Sequence, residues 1–262
     1  MEQVANFNIE HKTVIYNCEI HGEQESKITL FNGTWSPPYC KICLEEKKRK
    51  EQELEEQKKK IEQERKRELV KQSNLINSQI PPRFLKASFD NYKTTTKEQG
   101  NAKKTCLDYA SNFENKLEAG TSLVFVGTYG SGKTHLACSI AQEIMKKGYS
   151  ALYVNTSDVI EKITATWGVI DGGEKKQQAM NYFINPDLLI LDEIGLQHGS
   201  EAEKVELSKI INKRYLQLKP TILISNLDIN DLKEYITERV IDRMRDGGGQ
   251  KIVFNWESNR GQ

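Results

Sequence analysis

A chain of 262 residues is long enough for one sizeable core with a small appendage, and a net charge of +1 gives no global attraction for nucleic acid or an anionic surface. Charged residues make up 29% of the chain, and no apolar run reaches the length of a membrane span. The N-terminus MEQVANFNIEHK lacks the basic-then-apolar form of a secretory leader, so a cytoplasmic protein without a membrane partner is expected.

Residues 1–43 read as short β-like pieces with turns. CEIH (18–21) and CKIC (40–43) bring Cys18, His21, Cys40 and Cys43 into two short pairs. Thiolate and imidazole pairs at this spacing suit a tetrahedral Zn²⁺ site. So small a region cannot bury enough core to fold alone, and a metal would supply the missing stability. The competing reading is coincidence, with one cysteine buried; His11 is a weaker substitute ligand. The other cysteines, Cys106 and Cys138, fall on predicted helices and read as plain core residues.

Residues 44–72 form a charge-dense run of strong helix formers. Glu46–Lys50, Glu55–Lys59 and Glu62–Lys66 have the favourable Glu-before-Lys order at i,i+4. Leu54, Ile61 and Leu69 make only a sparse seam, so a solvated helical spacer is the better reading than a coiled coil. IPPRF (80–84) breaks the helix, because proline lacks a donor and restricts its neighbour. The predicted divisions are therefore a zinc module over 1–43, a helical linker over 44–79 and a core over 80–262. In ASFDNY, Phe89 and Tyr92 have two readings, packing on a purine base or packing in the core.

From about residue 84 strands and helices alternate, which predicts an α/β fold, a parallel sheet flanked by helices. TSLVFVG (121–127) is a buried-strand run, and KTHLACSIAQEIMKKG (133–148) is helical with apolar residues at helical spacing. Between them Gly127, Gly132, Lys133 and Thr134 satisfy G-x-x-x-x-G-K-T, with Gly130, Ser131 and His135 completing the loop. Such a loop turns backbone N–H groups toward phosphate oxygens at a helix N-terminus. Lys133 would reach the β- and γ-phosphates of ATP, and the Thr134 hydroxyl would bind Mg²⁺.

DLLILDEIG (187–195) reads as a buried strand ending in two carboxylates. Asp192 would hold Mg²⁺, and Glu193 would orient or deprotonate the attacking water. PTILISNL (220–227) is the next strand. Asn226 at its end either senses the γ-phosphate or forms a turn. In ERVIDRMRDGG (238–248), Arg239 and Arg243 share a helix face at i,i+4, whereas Arg245 lies off it. Each arginine reads equally as a cation for transition-state charge or as a surface partner of Glu238 or Asp242. IVFNWESNR (252–260) is a late strand and turn bearing Arg260.

IPPRF, LDEIG, ERVIDRMR and FNWESNR together resemble the AAA+ helicase loaders of the DnaC type, with the related DnaI-type loaders and the IstB-like transposition ATPases, over about residues 80–262. The resemblance implies a P-loop ATPase core without a helical lid domain, with Glu193 catalytic and Asn226 as first sensor. It makes Arg243 the finger acting across a subunit boundary, Arg239 the alternative finger, and Arg260 the second sensor. ATP-dependent homo-oligomers follow. It further implies a replicative DnaB-type helicase and single-stranded DNA as partners, with Trp167 and Ser200 at DNA-contacting positions. Ala202 departs from the aromatic residue of the DnaC branch. Lys162, Lys175 and Lys176 could add phosphate contacts or simply be solvated. The zinc module and charged helix depart from the DnaC N-terminus and look more like DnaI-type and phage-borne loaders. Two other readings are a transposition regulator and an adaptor that uses nucleotide only as a clamp.

Overall fold

The computed structural model of the chain describes residues 10–195 and 200–258. The chain divides into two compact units, Met1–Lys66 and Arg67–Gln262. In the first, strands β1 (His11–Cys18), β2 (Gly22–Phe31) and β3 (Thr34–Trp35) form an antiparallel sheet in that order. Gly22 (φ +68°) lies at the tight β1–β2 connection, where Cys18 pairs with Gly22. Among the described residues of this unit only Cys18, Ser26, Ile28 and Cys40 are buried.

Helix α1 (Lys41–Asn77) begins in the first unit and ends in the second. Its surface carries the expected pairs Glu55–Lys59 (2.9 Å) and Glu62–Lys66 (3.7 Å). Glu46 instead faces His21 Nε2, at 3.8 Å. Leu54, Ile61 and Leu69 are exposed, which agrees with a solvated helix.

The second unit continues with α2 (Lys97–Ser111), α3 (Phe113–Glu118), β4 (Leu123–Gly127) and α4 (Lys133–Lys146). After these come β5 (Ala151–Asn155), α5 (Thr156–Thr164), α6 (Gly172–Ile184), β6 (Leu188–Ile194) and α7 (Glu201–Leu216). The chain ends with β7 (Thr221–Ser225), α8 (Ile229–Ile236), α9 (Glu238–Arg245) and β8 (Gln250–Phe254). The five strands pair in parallel in the order β5-β6-β7-β4-β8, as the alternation of elements predicts.

The strands are apolar without alternation because both sheet faces are covered. Leu123, Phe125, Leu188 and Ile190 face one core, which holds Leu136, Ile140 and Ile144 of α4. Val124, Val126, Leu189 and Leu191 face the other, with Val159, Phe183, Ile210 and Ile241 from the opposite helices. Phe89 and Tyr92 belong to the first core and are buried. Cys106 and Cys138 are fully buried as expected, and burial pushes both thiols well above their ordinary range. Among the described residues no helix is long and apolar enough to cross a membrane.

Candidate functional site

β4 and β6 deliver the two halves of one site to the same end of the sheet. β4 stops at Gly127, whose φ of +131° and position 2.3 Å (as a notional Cβ) from the Phe254 carbonyl oxygen exclude a side chain. The loop then runs through Gly130 and Ser131 to Gly132, where α4 begins. Gly132 (φ +93°) lies under the Tyr92 ring, and a Cβ there would come within 2.7 Å of it. Tyr92 and Trp256 both donate to the Ser131 carbonyl, at 3.3 and 2.8 Å. Thr128 donates to the carbonyls of Phe254 and Trp256. The loop is therefore held in shape from below by the preceding segment and from the side by the chain after β8.

Lys133 Nζ donates to the carbonyls of Gly127 (2.8 Å) and Thr128 (2.7 Å). The first turn of α4 leaves backbone N–H groups without intrahelical acceptors at the same place, so cation and amides converge there. His135 lines the cavity that this loop borders; its Nε2 contacts the Ser88 carbonyl oxygen at 3.0 Å and its ring lies 5.4 Å from that of Tyr92. It fastens the preceding segment to α4.

Across the cleft, Thr134 Oγ1 donates to Asp192 Oδ2 at 2.8 Å. The two residues singled out for Mg²⁺ are thus already in contact. The β6–β7 register shifts between Leu191 and Ile194, and within that irregularity Glu193 has φ +60°. This left-handed conformation is uncommon for a residue with a side chain. It buries Asp192 while leaving Glu193 exposed at the strand end. Partial burial, then the Asp192 and Asp158 charges, hold the Glu193 carboxyl above the usual range.

Glu193, Asn226, Lys133, Thr134 and Asp192 line one cavity of about 420 Å³. Its other wall carries Arg83, Phe84, Lys86, Asn91 and Tyr129. Sequence reading singled out none of these as ligand-facing. Their signals were indirect: IPPRF holds Arg83 and Phe84, ASFDNY holds Asn91, and the glycine-rich loop holds Tyr129. Phe89 and Tyr92 take their core reading rather than the cavity.

Arg243 does not line this cavity. It donates to Asn212 Oδ1 and lies 5.3 Å above the Tyr215 ring. Glu238 pairs with Lys233 at 2.8 Å, and Arg239 and Arg245 are exposed. Arg260 lies outside the described residues. Trp167 is 46% exposed in the connection after α5, beside exposed Val169 and Ile170. Ser200 is exposed immediately before α7. Lys176 is committed to Glu206 at 2.8 Å, Lys162 lies over the Tyr182 ring, and Lys175 is exposed.

The second site lies in the first unit. The ligand atoms of Cys18, His21, Cys40 and Cys43 all fall within 4.8 Å of one another. Nδ1 of His21 is 3.9, 3.6 and 3.3 Å from the sulfurs of Cys18, Cys40 and Cys43, and the Cys18–Cys43 sulfurs are 3.6 Å apart. A tetrahedron with ordinary zinc–sulfur and zinc–nitrogen bonds has edges of about 3.5–3.8 Å, so the set fits Zn²⁺. Glu46 near Nε2 matches the outer-shell carboxylate that orients a ligating imidazole. The Ile20 and His21 amides hold the Cys18 thiol down to about 6, whereas its hydrogen bond with Cys18 and burial push Cys43 up to about 12. Without a cation the sulfurs compete for protons; a divalent metal lets all of them ionise together. His11 lies apart, against Thr29 Oγ1 at 3.0 Å.

Comparison with known proteins gives a consistent result. The model of the family described as IstB-like ATP binding protein matches residues 47–246. The replicative helicase loader DnaC of Escherichia coli (strain K12) is 33% identical over 198 residues, covering 75% of this chain and 79% of that protein. The DnaC loader of Buchnera aphidicola subsp. Baizongia pistaciae is 34% identical over 197 residues, covering 75% and 78%. The crystal structure of the DnaC helicase loader aligns with a TM-score of 0.59 at 27% identity, covering 66% of this chain and 99% of that one. The crystal structure of DnaI shares the fold, with a TM-score of 0.57 at 21% identity, covering 70% and 95%.

Proposed function

The chain belongs to the DnaC/IstB-like family of AAA+ ATP-binding proteins, and from that premise we propose that it is an ATP-dependent loader of a replicative hexameric helicase onto single-stranded DNA. The carrying observation is the cavity that gathers Lys133, Thr134, Asp192, Glu193 and Asn226, in a chain related to proteins named as helicase loaders.

In this reading the loop amides and Lys133 bind the phosphates. Thr134 and Asp192 would hold Mg²⁺, whose charge offsets that of the phosphates. Glu193, exposed at the cavity wall and more basic than an ordinary carboxylate, orients the attacking water and takes its proton. Asn226 faces the terminal phosphate. Arg243, outside its own cavity, acts on a neighbouring copy, and Arg260 serves as second sensor. Trp167 stacks on bases of the single strand, with Ser200 as a second contact. Zn²⁺ at Cys18, His21, Cys40 and Cys43 stabilises the module of residues 1–43. That module and the helix over 44–72 grip the helicase in the cytoplasm, leaving the core 80–262 for ATP and DNA.

The deciding experiment compares Lys133→Ala and Glu193→Gln. The first is expected to lose ATP binding. The second is expected to bind ATP and to hydrolyse it at least about a hundredfold more slowly, as befits loss of a general base. Wild-type turnover in Glu193→Gln would remove Glu193 from the mechanism.

A further inference from the structure

Three donors converge on the Asp192 carboxylate, and one of them has no place in the machinery described above. Oδ1 accepts from the Glu193 amide at 2.7 Å. Oδ2 accepts from the Thr134 hydroxyl and from the Tyr153 phenol, each at 2.8 Å. Tyr153 lies on β5, the strand beside β6, and is buried. In sequence it reads as one more apolar member of a buried strand. Its oxygen is also 3.3 Å from Asn155 Oδ1. A phenol has a single proton, and the shorter contact to a charged acceptor takes it.

The backbone of the same residue is engaged on the other side. β5 is the outermost strand of its sheet edge, so its outward amides need partners elsewhere. The Tyr153 amide donates to the carbonyl of Ser78 at 2.7 Å. Ser78 is the first residue after α1 and is fully buried. One turn earlier, Asn74 Nδ2 donates to the carbonyls of Tyr149 (3.0 Å) and Gly148 (3.3 Å), just ahead of β5. The end of α1 is therefore tied to β5 at two points, and one tie is made by the residue that holds Asp192.

We propose that Tyr153 is a positioning residue for the Asp192 carboxylate and that it links that carboxylate to the C-terminal end of α1. The inference rests on the nucleotide-binding role proposed for the cavity. Its physical basis is the division of donors on Asp192. Thr134 is itself a metal ligand in that reading: its oxygen would give a lone pair to the cation while its proton can stay on Oδ2, so its bond to Asp192 answers to the metal's position. Tyr153 and the Glu193 amide then hold the carboxylate in one orientation, and the ordering is in place before the metal binds. A load on α1 that shifts the Ser78 carbonyl moves the Tyr153 backbone, and with it the phenol on Asp192. Whatever α1 carries can in this way bias metal retention in the nucleotide cavity.

The test is Mg²⁺-titrated binding of a fluorescent, non-hydrolysable ATP analogue to the full chain, in wild type, Tyr153→Phe, Asn74→Ala and the double variant. Phenylalanine keeps the ring and removes only the hydroxyl. Tyr153→Phe is expected to raise the half-saturating Mg²⁺ concentration about three- to tenfold, the factor one ordinary hydrogen bond supplies. Its affinity for the analogue in the absence of Mg²⁺ is expected to be unchanged. Asn74→Ala is expected to raise the Mg²⁺ requirement about twofold in the Tyr153 background, by partly loosening the same anchor, and to add nothing in Tyr153→Phe. Identical titrations of wild type and Tyr153→Phe would overturn the positioning role and leave the nucleotide reading standing. No Mg²⁺-dependent binding in the wild type would remove both. An Asn74→Ala variant without effect, or with an equal effect in both backgrounds, would break the link to α1.

Discussion

Asp187 and Arg214 close the end of the sheet opposite the nucleotide cavity, and they do so with charge. Arg214 is fully buried and donates to the carbonyls of Phe183, Ile184, Pro186 and Pro220, with its Nε on Thr221 Oγ1. A guanidinium has five N–H donors in a rigid fork, and here the fork gathers carbonyls from the end of α6 and from the residues leading into β6 and β7. Asp187 accepts from the Ser150 amide and hydroxyl at 2.9 and 2.8 Å and from Lys219 at 2.9 Å. Burial pushes its carboxyl up, but these bonds outweigh it and hold the carboxyl below the usual range. A folded-state value below the unfolded one contributes stability above the unfolded pKa, roughly 3.9 for aspartate, and that stability is lost as pH falls through the folded value. Asp187→Asn is therefore expected to lower the urea midpoint at pH 6, with the difference from wild type shrinking below about pH 4. A difference that stays constant down to pH 2.5 would assign the effect to geometry and not to charge.

At the scale of elements, the N-terminal sheet and the first turn of α1 form a unit whose stability is expected to depend on a bound metal. Two of its four buried residues among those described are the cysteines Cys18 and Cys40, so there is little apolar burial to offset chain entropy. The tagless protein is expected to contain one equivalent of zinc by elemental analysis. Chelation should melt the β1–β2 hairpin, read as loss of hydrogen-exchange protection over residues 11–35, while β4–β8 stay protected. A metal-free preparation with a fully protected hairpin would reject the zinc assignment. Cys43 lies within α1, so metal binding also fixes the start of that helix. Between that start and the ties near Asn74, α1 carries exposed ion pairs such as Lys47–Glu51 at 3.9 Å, which add little stability.

At the scale of the whole molecule, the cavity is lined by Asp192 and Glu193, the carboxylates proposed for metal and for water, and by no arginine from α9. Among the described residues, Arg83 is the arginine on its wall, and it comes from the segment after α1. If Arg243 supplies transition-state charge, it must do so in a neighbouring copy. Mixing Arg243→Ala with Lys133→Ala chains is the corresponding test. Each variant alone is expected to be inactive. Co-assembled mixtures are expected to regain part of the ATPase rate, from interfaces that pair an intact cavity with an intact arginine. Proven co-assembly without recovery would place Arg243 in a structural role on Asn212 and Tyr215.

Sequence alone determined whatever depends on local order: the P-loop from its glycines, the buried strands from their apolar runs, the paired thiol and imidazole spacing, and the solvated helix. These follow from residues adjacent or one helical turn apart, where chain geometry leaves few alternatives. The tertiary structure decided what depends on long-range closure. Thr134 and Asp192 meet across 58 positions, and the two candidate ligand pairs, Cys18 with His21 and Cys40 with Cys43, converge across 19 to 25 positions. Phe89 and Tyr92 could have faced a ligand or the core, and both are buried in the core, Tyr92 against Gly132. Tyr153 gave no sign in an apolar strand, because its role comes from a hydroxyl aimed along the sheet at a carboxylate on the next strand. An amphipathic side chain satisfies the burial pattern in either case, and only its neighbours in space say what its polar end does.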